Sequence, residues 1–244
     1  MQRRLSQSLL IIPTYNEIDN IKKMLTTLDQ LYPELSLLII DDGSPDGTSK
    51  VVKEYQEKKK NLHLIERAGK LGLGTAYVTG FKWALEKNFE YVFEMDCDFS
   101  HDPVEIPRFL EEMEDHDLVI GSRYIGGIRV INWPMKRLLL SYFASIYTQI
   151  ITGMTIKDAT GGFKCFSRKT LQSLNLNNVF SNGYSFQIEL NFKVWSQHLR
   201  VKEIPITFYE RRDGQSKMRG AIVYEAVFAV FKLRLKRIFG TLNA

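Results

Sequence analysis

Tyr91-Val92-Phe93-Glu94-Met95-Asp96-Cys97-Asp98-Phe99-Ser100-His101 reads as a short apolar strand that runs into two carboxylates one residue apart. Residues i and i+2 of a strand point to the same side, so Asp96 and Asp98 aim at one point where the strand ends. Two carboxylates at one point repel each other unless one holds a proton or a cation lies between them. A hard divalent ion takes oxygen ligands and can complete its shell with phosphate oxygens. The plainer reading is a pair of solvated acids, and spacing alone leaves the two readings level.

The flanking sequence shifts that balance. Upstream, residues 9–12 form an apolar run ended by Pro13, and residues 35–40 and 62–65 form two more. Between them, Asn16 or Asp19 can cap a helix with Ile21, Met24, Leu25 and Leu28 on one face. Asp46 or Thr48 can start a second helix, which carries Val51, Val52 and Tyr55. A third helix is expected over 74–88. Strand and helix alternating at this spacing predict an α/β fold, a mostly parallel sheet covered by helices. Such sheets bind ligands beyond the carboxyl ends of their strands. Loops 15–17, 41–42 and 96–98 all leave such ends, and three carboxylate-bearing loops converging on one crevice favour a site over solvated acids. Gly69-Lys70-Leu71-Gly72-Leu73-Gly74 fits neither the dinucleotide nor the P-loop spacing and reads as a flexible loop beside the crevice.

Downstream, the pattern predicts a helix over 102–113, a strand over 117–121 and a long loop marked by Gly126, Gly127, Trp133 and Pro134. Lys136 and Arg137 open an uncharged helix, and residues 158–164 form a turn. A helix runs from 183 to about 198, a strand follows over 201–209, and a last helix spans 221–238.

The 244 residues are 44% hydrophobic and 25% charged, ordinary for a globular chain. Two cysteines, Cys97 and Cys165, lack metal-ligand spacing and fit a reducing compartment. The apolar run 9–12 is too short for a signal peptide. Residues 138–156 could span a bilayer on length, but Ser141, Ser145, Thr148, Gln149, Thr152, Gly153 and Thr155 interrupt them, so an interfacial or partly buried helix is expected. From Arg211 onward eight basic residues face two acids, which leaves the rest of the formal +5 chain at −1. A basic tail calls for an anionic partner. No nucleic-acid recognition motif is present, so no nucleic-acid partner is expected. The expected organisation is a catalytic domain over 1–220, including the interfacial helix at about 136–153, followed by a basic amphipathic helix over 221–244 that packs on it or docks on a membrane.

Taken in order, six further stretches accompany Met95-Asp96-Cys97-Asp98-Phe99-Ser100-His101. They are Pro13-Thr14-Tyr15-Asn16-Glu17, Asp41-Asp42-Gly43-Ser44-Pro45-Asp46-Gly47-Thr48, Leu71-Gly72-Leu73-Gly74-Thr75-Ala76-Tyr77, Gly121-Ser122-Arg123-Tyr124, Gly183-Tyr184-Ser185-Phe186-Gln187, and Arg211 with Gly214-Gln215-Ser216-Lys217. Together they resemble the inverting family 2 glycosyltransferases of GT-A fold, most closely the dolichol-phosphate (polyprenol-phosphate) mannose synthases, in a form without a transmembrane region. The resemblance implies transfer of mannose from GDP-mannose to a polyprenyl or dolichyl monophosphate. Pro13, Tyr15, Glu17, Ile40 and Asp42 would hold the nucleoside. Asp96, Cys97 and Asp98 would form the Asp-x-Asp element, its two aspartates binding Mg2+ or Mn2+ on the diphosphate. Arg123, Arg137, Ser141, Arg211 and Lys217 would meet donor or acceptor phosphates, with Asp98, Arg123 and Arg211 closest to the chemistry. Ser100 stands where some members have a ligating Gln, so a third side-chain ligand is not expected. The resemblance also implies a peripheral protein on the cytoplasmic face of a membrane, endoplasmic reticulum or plasma membrane, with small membrane subunits as candidate partners. Other readings are transfer of glucose or another sugar, and a non-catalytic scaffold that binds lipid phosphates.

Overall fold

The computed structural model describes residues 2–210 and 220–242. In chain order the elements are α1 (Gln2–Ser6), β1 (Ser8–Thr14), α2 (Ile18–Leu31), β2 (Ser36–Asp41), α3 (Thr48–Gln56), β3 (Leu62–Glu66), α4 (Leu73–Glu86) and β4 (Tyr91–Glu94). A 3-10 turn at Pro103–Glu105 leads into α5 (Ile106–Glu112), β5 (Leu118–Ser122), β6 (Val130–Ile131), α6 (Met135–Thr152), β7 (Lys164–Ser167) and α7 (Arg168–Ser173). A second such turn at Leu176–Asn178 precedes α8 (Gly183–Ser196), β8 (Val201–Pro205), β9 (Phe208–Tyr209) and α9 (Gly220–Ile238).

Seven strands form one sheet in the order β3-β2-β1-β4-β7-β5-β8, and all pairings are parallel except those of β7. The apolar runs are continuous because the sheet is covered on both faces. Alternate residues serve opposite layers. Leu9, Ile11, Leu38 and Ile40 pack under α4, α8 and α9 with Tyr77, Phe81, Phe186 and Leu233. Leu10, Ile12, Leu37 and Ile39 pack under α2 and α5 with Met24, Leu25, Phe109 and Leu110. The inner face of α9 thus belongs to the first layer, through Val230 and Leu233.

Three expectations change. The helix over 102–113 begins instead as a 3-10 turn, because Pro107 has no N–H to return to the Pro103 carbonyl and the Ile106 N–H takes that acceptor. The expected strand 201–209 divides after Pro205: β8 stays in the main sheet, while β9 pairs with β6, within the stretch expected to be a loop. The turn 158–164 ends in a four-residue strand, β7, which inserts antiparallel between β4 and β5. That reversal brings the beginning of β7, with the turn before it, to the edge where β4 and β5 end.

Phe109 lies between Phe93 and Phe163, with ring centroids 5.9 and 4.3 Å away. It is fully buried, so Phe109→Ala should lower the free energy of unfolding by about 3–5 kcal/mol. The expected result is a lower urea midpoint at constant slope; an unchanged midpoint would remove this ring from the core.

Candidate active site

The chain leaves β4 through Met95, whose N–H still bonds the Ile11 carbonyl. It then turns sharply, with Phe99 at φ +57°. Asp98 fixes the turn by accepting the Ser100 N–H at 3.1 Å. Asp98 is buried, whereas the Asp96 side chain keeps about a third of its surface (32%). His101 Nδ1 faces the Asp96 N–H at 3.4 Å and lies 3.9 Å from Asp96 Oδ2. The imidazole packs against the rings of Phe163 and Phe208.

One cavity gathers Asp96, Asp98, Ser100, His101, Arg123, Arg137, Ser141 and Gln187. Its other wall is apolar: Leu140, Phe143, Ala144 and Tyr147 from α6, and Val227 and Val230 from α9. Among these residues are five expected from sequence, Asp96, Asp98, Arg123, Arg137 and Ser141. Both arginines meet carboxylates. Arg123 forks onto Asp158, with Nε and NH2 at 2.7 and 2.6 Å, and its own N–H joins the same carboxylate at 2.9 Å. It also bonds Thr160 and lies against Tyr124, Trp133 and Phe208. Arg137 bonds Glu210 at 2.7 Å and stacks 4.2 Å over Trp133. Ser141 accepts from the Tyr124 hydroxyl at 2.8 Å.

Beneath this floor lies a second set of charges. The β4–β7 register sets Lys164 opposite Glu94, with Nζ 3.9 Å from Oε2 and both side chains fully buried. Lys164 also donates to the Gln187 side-chain oxygen. Burial pushes the Glu94 carboxyl up to about 7 and the Lys164 ammonium down to about 8. Their mutual attraction, with a contribution from Asp158 to Lys164, works against both shifts.

The residues expected at the nucleoside lie at the ends of the neighbouring strands and are not among the cavity walls. Asp41 is buried and braces its turn, accepting from Thr14 Oγ1 at 2.9 Å and from the Ser44 N–H at 2.8 Å. Asp42 accepts from Arg67 Nε at 2.6 Å and faces the Gly72 N–H at 3.4 Å. Tyr15 lies under the Lys70 ammonium, 4.6 Å from its ring centre. The Glu17 carboxylate accepts from Asn20 at 2.9 Å. Pro13 sits beside Ile40 in the β1–β2 register. The Ile40 side chain is fully buried in the core, so only its backbone can face a ligand. Cys97 is buried in the opposite layer. Arg211 and Lys217 lie outside the described residues.

Asp158, Glu210 and the Glu94–Lys164 pair were given no role in the site by sequence, and Trp133 was read only as a loop marker. Gln187 carried a signal, since it ends the Gly183–Gln187 stretch.

Residues 9–174 match the model of the family described as glycosyl transferase family 2. An undecaprenyl-phosphate mannosyltransferase of Micrococcus luteus is 42% identical over 222 residues, 91% of each chain. A polyprenol monophosphomannose synthase of Mycolicibacterium smegmatis is 41% identical over 230 residues, 93% of this chain and 87% of that one. Among solved structures, glucosyl-3-phosphoglycerate synthase of Mycobacterium tuberculosis shares the fold. Its complex with Mn2+, UDP-glucose and phosphoglyceric acid superposes with TM-score 0.68 at 17% identity, over 92% of this chain and 78% of that one. Its Mg2+ and UDP complex gives 0.69 at 16%, over 94% and 82%.

Removing one member of a buried ion pair leaves the other uncompensated, typically at about 3–5 kcal/mol. Asp158→Ala should therefore cost the fold about that much, read by urea unfolding. The double variant Arg123→Met/Asp158→Leu should regain at least half of it. A single variant as stable as the parent would show that the pair contributes nothing.

Proposed function

Because the chain belongs to glycosyl transferase family 2, we propose that it transfers mannose from GDP-mannose to a polyprenyl monophosphate, with inversion at the anomeric carbon. The observation that carries this reading is the two-sided cavity. Its floor holds Asp96, Asp98, Arg123 and Arg137, and its roof is apolar side chains of α6 and α9. A ligand matching both sides has an anionic head and a hydrocarbon tail. The names of the two curated relatives, acting on undecaprenyl phosphate and polyprenol phosphate, agree with that chemistry.

Asp96 and Asp98 offer hard oxygens, and the buried Ser100 hydroxyl beside them has no hydrogen-bond partner among the described residues. Among the described residues no group of three or more His, Cys, Asp or Glu could enclose a metal. This donor set fits Mg2+ or Mn2+ that takes its remaining ligands from diphosphate oxygens. Such an ion supplies charge neutralisation on the departing nucleoside diphosphate. The structural neighbour that binds Mn2+ with UDP-glucose points the same way.

The chain's own residues do the rest. A phosphomonoester with a second pKa of roughly 6 is already anionic at neutral pH, so no general base is required. One acceptor oxygen attacks the anomeric carbon as the bond to the donor's diphosphate oxygen breaks, and that electron pair leaves with GDP. Arg137, through its planar fork, and Ser141 orient the acceptor phosphate. Arg123, locked by Asp158 and three aromatic rings, presents the guanidinium of a fixed ion pair to the phosphates without reorganising. His101 backs the Asp96 loop.

The membrane side rests on α6 and α9. Met135, Leu139, Phe143 and Ile150 recur on one face of α6, and Phe228, Phe231, Leu235 and Ile238 on one face of α9. All are exposed, Phe143 at 59% and Phe228 at 72%. The two helices touch through the Tyr147 and Phe231 rings. Among the described residues no helix is long and apolar enough to cross a membrane. We infer peripheral docking on the cytoplasmic leaflet, with the apolar faces in the interface and basic residues toward anionic headgroups.

Asp98→Asn, or chelation of divalent metal, should lower mannosyl transfer from GDP-mannose to a short polyprenyl phosphate by at least about 100-fold, equivalent to roughly 2.7 kcal/mol of barrier. Transfer at the parental rate would refute the assignment, and preference for UDP-glucose in the same assay would change the donor. Phe143→Glu/Phe228→Glu should reduce sedimentation with anionic vesicles at low salt; undiminished sedimentation would move the docking surface elsewhere.

A further inference from the structure

The glycine-rich stretch 69–74 has a different purpose in the structure from the flexible loop read in sequence. Gly72 has φ +101°, and a Cβ there would fall 2.2 Å from the Asn182 side-chain nitrogen. A Cβ on Gly74 would fall 2.8 Å from the Ser181 carbonyl oxygen. Both glycines are therefore seats for segment 181–182, more than a hundred residues away. Into that space Asn182 inserts its amide. Oδ1 accepts from the Gly74 N–H at 2.9 Å, in the first turn of α4, and from the Gly183 N–H at 3.2 Å, at the start of α8. Nδ2 donates to the Leu71 carbonyl at 3.4 Å.

Each end of this junction continues into a different part of the site. Toward the nucleoside side, the Gly72 N–H faces Asp42, and Arg67 bonds Asp42, the Gly72 carbonyl and Thr75 together. Toward the cavity, Leu73, Gly183 and Gln187 are wall residues. We propose that Asn182 is a positioning residue that couples the two subsites. Its amide fixes the loop carrying Asp42's partners against the first turn of α8, so that filling the nucleoside side settles the cavity wall. This inference rests on the donor and acceptor sides assigned above.

Calorimetry with Mg2+, GDP and a short polyprenyl monophosphate tests it. In the parent protein GDP should tighten binding of the lipid phosphate by at least about 5-fold, within the usual range of site-to-site coupling. In Asn182→Ala each ligand alone should bind within about 2-fold of the parent, while the mutual enhancement falls below about 2-fold. Asn182→Asp keeps both N–H acceptors and should restore most of it, which also guards against a variant that fails to fold. Full enhancement in Asn182→Ala overturns the proposal. So does a uniform loss of both affinities that tracks melting temperature, which would make Asn182 purely structural. Failure of the parent to bind GDP at all would instead remove the assignment of the nucleoside side, and the coupling with it.

Discussion

A charge held away from water must be answered by another charge, and that constraint organises the cavity edge of this sheet. Glu94 and Lys164 face each other across β4 and β7 with no solvent contact. Asp158 holds Arg123 by three hydrogen bonds, and its field also reaches Lys164. Gln187 ties Lys164 to the cavity wall. The arrangement costs desolvation energy that an apolar core would not. What it supplies is a cavity floor whose polar groups are already oriented, so that in the proposed transfer the reacting charges would meet fixed dipoles in place of mobile water.

The antiparallel strand makes that floor possible. In a fully parallel sheet only strand ends reach the ligand edge. β7 runs the other way, so its beginning arrives there, along with Asp158, Thr160 and Gly162 from the preceding turn. Glycine at 161 permits a close approach, since a Cβ would fall 3.1 Å from the Gly121 carbonyl oxygen. The turn lies directly against the end of β5, where Arg123 begins.

Much of the sheet was legible because burial on two faces writes itself as unbroken apolar runs, as in 9–12 and 35–40. The Asp96–Asp98 pair was legible as two carboxylates following an apolar run, but β4 ends at Glu94, and it is the turn after the strand that brings both to the cavity. β7 was not, since four residues after a glycine pair carry no period. The carboxylates that hold the arginines were not legible either. Asp158 meets Arg123 across 35 residues and Glu210 meets Arg137 across 73, and no local pattern marks such partners. Pro107 and Pro205 were visible, but their effects, a tightened helix start and a divided strand, depend on which carbonyls and strands lie nearby. The glycines of 69–74 were visible as well. Their reason was hidden, because the group that needs the space is a distant asparagine.

Helix α6 has two faces with different duties, which meet at Phe143, a cavity wall residue that is also exposed. Its inner residues, Ala144, Tyr147 and Thr148, shape the cavity, while Met135, Leu139 and Ile150 face outward. The outer face makes few demands on the fold, so it can change in greasiness or bulk without disturbing the chemistry. The inner face has no such freedom. Under the proposed docking, a lineage moving to a membrane of different composition could therefore retune the outside of this helix residue by residue and leave the transfer reaction as it was.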